Sequence, residues 1–384
     1  PTLAMAATAK AMAAQGIDVI DFSTGEPDFD TPEPVKAAAE AAIRAGFTKY
    51  TPSSGIDELR AAIVDKFKVE QGLAYEKSQV LVSCGAKHSL YNLAEALLEA
   101  GDEIIIPTPY WVSYSDQALL NDATAVLLPT KEADGYAIDP LELERRITPR
   151  TKALIVNSPC NPTGATYGKQ TLEAIATIAV RHDLLVVSDE IYEKVLYDGA
   201  THVSIASLGA EIAARTVIIN GVSKAYAMTG WRIGYAAGPK ELIAAMANIQ
   251  SQSTSNPCSI SQKAAVAALR VGDPFTKQMV AEFDRRRKVI VDGLNHIPGV
   301  SCRMPGGAFY AFPNIKAMLG KRGPAGPINS PTDLANYLLK DAHIAVVPGE
   351  PFGSGAHIRL SYATSLDVIT RGLDRLAKAL NQLN

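Results

Sequence analysis

Between residues 79 and 237 the chain alternates short apolar, β-branched runs with longer segments whose apolar positions recur at helical spacing. The runs lie at 79–83, 103–106, 123–128, 152–157, 184–188, 216–220 and 234–237, with helical segments such as 89–100 and 169–182 between them. A run of four to six apolar residues without polar alternation suits a strand buried on both faces, and the intervening helices supply the cover. The pattern predicts an α/β fold with a mainly parallel sheet, whose ligands bind beyond the carboxyl ends of the strands.

The flanks read differently. Residues 3–15 have helical, Ala-rich composition, and 21–32 form a loop dense in Gly, Pro and Asp. That loop runs into a helix over 33–45, with Thr31 expected as N-cap and Pro32 at the first helical position. A second helix is expected at 56–71, and the polar loop 49–55 between the two presents Tyr50. A long helix over 274–296 carries Arg285-Arg286-Arg287-Lys288, read as a solvated face. Beyond Pro298-Gly299 come short strands at 300–303, 308–312, 344–347 and 357–361, a Gly/Pro/Lys-rich loop at 319–331 and an amphipathic helix near 365–382, which together read as a smaller α+β unit.

Composition narrows the picture only a little. A length of 384 residues suits about two domains. The net charge of −3 offers no basic field for nucleic acid and no polybasic membrane signal. Cys84, Cys160, Cys258 and Cys302 are widely spaced without a Cys-x-x-Cys pair and read as reduced thiols of a cytoplasmic protein. No apolar run approaches the roughly 20 residues of a membrane helix. Lys10 and the strand-like stretch 17–20 argue against a signal peptide at the start of the sequence.

The chemistry lies just past the strands. The first is followed by Ser83-Cys84-Gly85-Ala86-Lys87, small residues opening a helix, where backbone N–H groups can hold an anion. Pro109-Tyr110-Trp111 follows the second and offers a flat ring, and the turn Asn157-Ser158-Pro159-Cys160-Asn161-Pro162-Thr163-Gly164 follows the fourth. Asp189-Glu190-Ile191-Tyr192 brings an acid and a phenol after the fifth. The sixth ends in Asn220-Gly221-Val222-Ser223-Lys224, with Arg232 eight residues beyond the lysine. Each has a plain structural use: Asp189 as a helix cap, Tyr192 and Trp111 as core, Asn161 as a turn former, Lys224 and Arg232 as solvated charges. Collected at one sheet edge, they fit pyridoxal phosphate, which needs a lysine for a Schiff base, an acid for the ring nitrogen and N–H groups with an arginine for the phosphate. A nicotinamide site would need a Gly-x-Gly-x-x-Gly turn, and a metal site His/Glu or Cys/His spacing; the sequence has neither.

With Gly25-Glu26-Pro27-Asp28-Phe29-Asp30-Thr31-Pro32, Asn161-Pro162-Thr163-Gly164, Asp189-Glu190-Ile191-Tyr192, Ser223-Lys224, Met228-Thr229-Gly230-Trp231-Arg232 and His357-Ile358-Arg359, the chain resembles class I (fold type I) aminotransferases along essentially its whole length. The similarity is to the bacterial-type aspartate and aspartate/prephenate branch. It implies a seven-stranded large domain over 40–275 and a small domain formed by 1–39 with 276–384. It also implies a cytoplasmic homodimer with active sites at the subunit interface, amino-acid and 2-oxo-acid substrates, and a ping-pong reaction. By resemblance, Lys224 is the Schiff-base lysine and proton carrier, Asp189 pairs with the ring nitrogen, and Tyr192, assisted by Asn161, holds the ring 3′-oxygen. Trp111 would stack on the ring, while Gly85, Ala86, Lys87, Ser223 and Arg232 surround the phosphate, with Tyr50 arriving from the other subunit. Arg359 would grip the substrate α-carboxylate, helped by Asn161 and the Gly25 backbone. Two positions depart from the better-known pattern. Gly221 replaces a phosphate-binding serine, and Ser251 stands where an arginine serves the distal carboxylate, leaving Lys87 to supply that charge. Aromatic- or alanine-preferring transfer, lyase chemistry and a non-catalytic regulatory protein of the same fold are the other readings.

Overall fold

The computed structural model describes residues 2–272, 274–324 and 326–384. Seven strands form the main sheet: β1 (Val80–Ser83), β2 (Glu103–Thr108), β3 (Thr124–Pro129), β4 (Thr151–Asn157), β5 (Leu185–Asp189), β6 (Thr216–Gly221) and β7 (Gly234–Ala237). Their order is β1-β7-β6-β5-β4-β2-β3, and only β7, between β1 and β6, runs against the rest. All seven runs expected from the sequence are therefore strands of one sheet.

Alternation along each strand divides the core. Leu81, Val217 and Ile219 face helices Ala86–Leu97 and Lys240–Ser253, which contribute Leu90, Leu93, Ile243 and Met246. Their neighbours Val80, Val82 and Ile218 point the other way, onto Leu59, Ile63 and Phe67 of helix Asp57–Gln71. Farther along that face, Leu154, Val156 and Val186 pack on Leu172, Ile175 and Ile178 of helix Lys169–Arg181.

A second core gathers the chain's two ends. Strands β8 (Tyr310–Ala311), β9 (Val347–Pro348) and β10 (Ile358–Ser361) form an antiparallel sheet in the order β9-β10-β8. Ile20–Asp21 pairs in parallel with Ile344–Ala345 beside it. Helices Pro274–Asn295 and Leu366–Asn381 cover this core with Phe283, Leu294, Ile369 and Leu376. The Ser361 amide donates to the Phe22 carbonyl at 2.8 Å, so the loop after residue 22 is laid against β10, the strand that carries Arg359.

Three expectations are corrected. Thr31 is not the N-cap of helix Glu33–Arg44; that position falls to Pro32, with no side-chain cap. The Thr31 hydroxyl instead donates to the Ala227 carbonyl at 2.8 Å and accepts from Trp231 Nε1 at 2.9 Å, pinning the loop after Lys224. The basic run 285–288 is not one solvated face. At 3.6 residues per turn four consecutive side chains fan around the helix. Arg286 and Arg287 are therefore buried, paired with Asp28 and Glu282 and with Asp198 and Asp284, while Arg285 and Lys288 stay exposed. Residues 300–303 form no strand, only a single bridge from Ser301 to Asn314.

Candidate active site

The carboxyl ends of β1, β5 and β6 lead directly into Gly85, Asp189 and Lys224, and the short loops hold these residues over the sheet edge. Lys224 is half-buried, and its Nζ donates to the Gly25 carbonyl at 2.7 Å. It also lies 5.8 Å from the ring centres of Tyr192 and Phe309. Burial pulls its pKa down to about 8; the Arg359 and Arg232 charges act the same way, against Glu26 and Asp189. About a tenth of the amine is then neutral at pH 7, where an ordinary lysine holds less than about one part in a thousand.

Asp189 ends β5 and is almost fully buried. Burial raises its pKa to about 6, opposed by hydrogen bonds from the Tyr114 hydroxyl at 2.6 Å and the Ile191 amide at 3.2 Å. Tyr114 in turn meets the Trp111 ring edge-on, with centroids 5.5 Å apart. Trp111 is half-buried, and Lys87 Nζ lies 4.8 Å from its ring centre. Burial and then the Arg232 charge lower the Lys87 pKa.

An anion cradle opens beside them. Gly85, at φ +92°, precedes helix Ala86–Leu97, whose first amides have no partners within the helix. The Arg232 guanidinium is held by the Thr229 and Cys84 carbonyls at 2.9 and 3.4 Å. It passes so close to Gly85 that a Cβ there would fall 2.3 Å from Arg232 Nη2. Packing behind the cradle is equally tight. A Cβ on Gly234 would meet the Ala86 nitrogen at 2.1 Å, and one on Gly221 would press on Gly234 Cα and the Ile233 carbonyl at 3.0 Å. Glycine at 221 thus reflects the approach of β6 to β7. Ser223 is buried beside Lys224, its carbonyl accepting from the Met228 amide.

The third feature is Arg359, buried under the Ser23–Gly25 segment. Its Nη1 donates to Asn161 Oδ1 and its Nη2 to the Ser23 carbonyl, both at 2.9 Å. Tyr310 and Phe352 lie against its guanidinium at 4.5 and 5.2 Å, and Nε has no hydrogen-bond partner. Asn157 steadies Asn161 by accepting from its amide and ties it to β5 by donating to the Asp189 carbonyl, each at 3.0 Å. Ser23 and Gly25 are two residues apart, so Arg359 and the Lys224 amine address carbonyls at most about 7 Å apart along one short segment.

The Tyr192 hydroxyl bonds to the Tyr310 hydroxyl at 2.7 Å, whereas the Asn161 side chain is engaged by Arg359. Two expected residues stand apart within the single chain. Tyr50 is 92% exposed, in a loop fastened through the Ser53 carbonyl to Gln250. Ser251, on helix Lys240–Ser253, turns its hydroxyl to the Asn248 carbonyl. Tyr114, Tyr310, Phe352 and Ser23 were not foreseen. For Tyr114 a signal was present: it follows Trp111 by three residues, the spacing of neighbours on one helical face.

Residues 17–376 match the family described as aminotransferase class I and II. An aspartate aminotransferase of Geobacillus stearothermophilus is 49% identical over 98% of this chain and 94% of its own length. An aspartate/prephenate aminotransferase of Nitrosomonas europaea is 44% identical over 99% and 97%. The crystal structure of the aspartate aminotransferase from Rhizobium meliloti superposes with a TM-score of 0.95 at 48% identity, covering 100% of this chain and 96% of that one. The amine, acid, anion cradle and buried guanidinium thus sit in a chain that belongs to the class I and II aminotransferases.

Proposed function

We propose that the protein is a pyridoxal-phosphate-dependent aminotransferase that moves the amino group of aspartate to 2-oxoglutarate, yielding oxaloacetate and glutamate in two half-reactions. The residues fit that cofactor. Glycine at 85 leaves room for the Arg232 guanidinium beside the first amides of the helix, a cradle suited to a phosphate. Asp189 is a buried acid, Trp111 a flat ring against the Tyr114 that hydrogen-bonds it, and Lys224 a half-buried amine with a lowered pKa. Gly85, Ala86, Lys87, Ser223 and Arg232 would hold the phosphate, Tyr192 and Asn161 the 3′-oxygen side and Lys224 the aldehyde carbon. When bound, the cofactor supplies the electron sink that makes an amino-acid Cα–H acidic.

The rest is work for the protein's own groups. Arg359 binds the α-carboxylate through N–H donors it still has to spare, orienting the substrate Cα toward Lys224. Once free, Lys224 Nζ removes the Cα proton as general base and later returns it as acid, for which a pKa near 8 is well matched. Asp189 would hold its negative charge for the ring nitrogen of the bound cofactor, helped by the Tyr114 hydrogen bond. Lys87 would meet the distal carboxylate of aspartate, and Tyr50 would complete the phosphate site of a second copy in a homodimer.

The observation that carries this reading is the Ser23–Gly25 segment, which engages the guanidinium and the amine together. Its test is steady-state kinetics with aspartate and 2-oxoglutarate varied together. Parallel double-reciprocal lines and equimolar oxaloacetate and glutamate are expected. Release of ammonia or pyruvate, or absence of turnover with every amino acid tried, contradicts it. A broader range that includes prephenate as acceptor is the second reading. Its support is that Lys87 is a flexible point charge, less restrictive than an arginine fork.

A further inference from the structure

Asp189 is followed by a second buried carboxylate that takes no part in the scheme above. The Glu190 side chain is almost completely buried, yet burial, which alone would raise its pKa, is outweighed by its partners, and it stays ionised. Ser188 and Ser204 hydroxyls donate to its Oε1 at 2.9 and 2.6 Å, and Gln71 Nε2 donates to Oε2 at 3.1 Å. His202 Nε2 lies 2.9 Å from the same Oε2. Although burial works against the imidazolium, the Glu190 charge outweighs it and raises the His202 pKa.

Beyond this pair the network closes on itself. Gln71 Nε2 also donates to Glu193 Oε2 at 2.8 Å, Lys66 Nζ pairs with Glu193 and Glu70 at 2.5 and 3.1 Å, and Lys194 pairs with Glu70 at 2.7 Å. Tyr75 and Tyr235 are the neighbouring phenols, both held neutral by burial. Glu190, Glu193 and His202 place possible ligand atoms within 4.8 Å of one another, but Lys66 and Gln71 already occupy the cluster with N–H groups. Among the described contacts, the carboxylates of Glu190, Glu193 and Glu70 meet the ammonium groups of Lys66 and Lys194, and His202, whose pKa the Glu190 charge raises, is the remaining group able to balance them. The Glu190 charge is also one of the influences that raise the Asp189 pKa.

We propose that His202 and Glu190 form a charge-compensating support for Asp189: the imidazolium cancels the carboxylate next to the catalytic acid, so that Asp189 keeps its own charge toward the cofactor nitrogen. This makes His202 and Glu190 positioning residues, and the inference rests on the reading of Asp189 given above. An uncompensated charge one residue away is worth about one pKa unit, which lowers the ionised fraction of Asp189 about twofold at pH 7 and about fivefold at pH 6.

Equilibrium titration of the apo protein with pyridoxal phosphate, followed by tryptophan fluorescence, tests the proposal. His202→Gln leaves Glu190 unbalanced and should weaken binding about fivefold at pH 6, close to the Asp189 pKa. Glu190→Gln, alone or combined with His202→Gln, removes the offending charge and should bind within about threefold of wild type. A merely structural role predicts the reverse, the double variant being at least as impaired as either single one. Wild-type affinity for His202→Gln, or a double variant no better than His202→Gln, overturns the proposal. Should His202→Gln not fold, Glu190→Gln decides alone, since a fivefold loss there contradicts it. Asp189→Asn separates this from the parent reading. Unchanged affinity in that variant removes the role of Asp189 itself, whereas a large loss there with a flat His202/Glu190 cycle removes only the support.

Discussion

Replacing Tyr114 by Phe removes one hydroxyl and leaves the ring packed against Trp111. That hydroxyl donates to Asp189 Oδ2 at 2.6 Å in a fully buried setting and is the foremost influence opposing the effect of burial. A hydrogen bond to a charged acceptor contributes about 1.5–3 kcal/mol. Its loss corresponds to about one to two pKa units, moving Asp189 from about 6 to near or above neutrality. The sign follows from which form binds. Asp189 must be ionised to pair with a protonated ring nitrogen, so cofactor affinity falls as pH drops through its pKa. The assay is the dissociation constant of pyridoxal phosphate from the apo protein across a pH series. The wild-type midpoint should lie near the pKa of about 6, and Tyr114→Phe should shift it upward by about one unit or more. At neutral pH cofactor affinity should fall about two- to tenfold. An unshifted midpoint in a folded variant, or a downward shift, would refute the reasoning.

Other substitutions probe the remaining parts of the site. Arg359→Lys keeps the charge but loses the fork, so KM for aspartate should rise about thirtyfold, corresponding to about 2 kcal/mol, with a smaller effect on kcat; an unchanged KM would remove Arg359 from the carboxylate site. Lys87→Ala should lower kcat/KM about tenfold for aspartate and change it less than about threefold for alanine, read from paired donor assays. Gly234→Ala would force a methyl group onto the Ala86 nitrogen and should cost about 1–3 kcal/mol with weakened phosphate binding, measured by melting temperature and by affinity for inorganic phosphate.

Much of this was legible in the chain itself. Strands betray themselves by local apolar runs, and the ends of β1, β5 and β6 delivered Gly85, Asp189 and Lys224 without tertiary information. Groups that act through long-range contact were not legible. Tyr114 reaches Asp189 across 75 positions and Tyr310 reaches Tyr192 across 118, and a tyrosine within an apolar stretch reads as core until its hydroxyl partner is known. Thr31 shows the opposite error. A local rule assigned it a cap, while two contacts near residue 230 claimed its hydroxyl. Arg286 and Arg287 mislead similarly, since charge runs look solvated until acids such as Asp28 and Asp198, distant in sequence, arrive beside them. Gly221, a departure from the related pattern, has its cause in the pressing of β6 on β7.

In the proposed aspartate aminotransferase Lys224 both carries the proton and holds the cofactor. The most direct test is a single half-reaction: protein loaded with pyridoxal phosphate is mixed with aspartate and no acceptor, and oxaloacetate is counted against active sites. One oxaloacetate per site is expected for wild type, with the cofactor recovered as pyridoxamine phosphate, and none for folded Lys224→Ala. Oxaloacetate formation by Lys224→Ala at the wild-type rate, or an inert wild type, would contradict this.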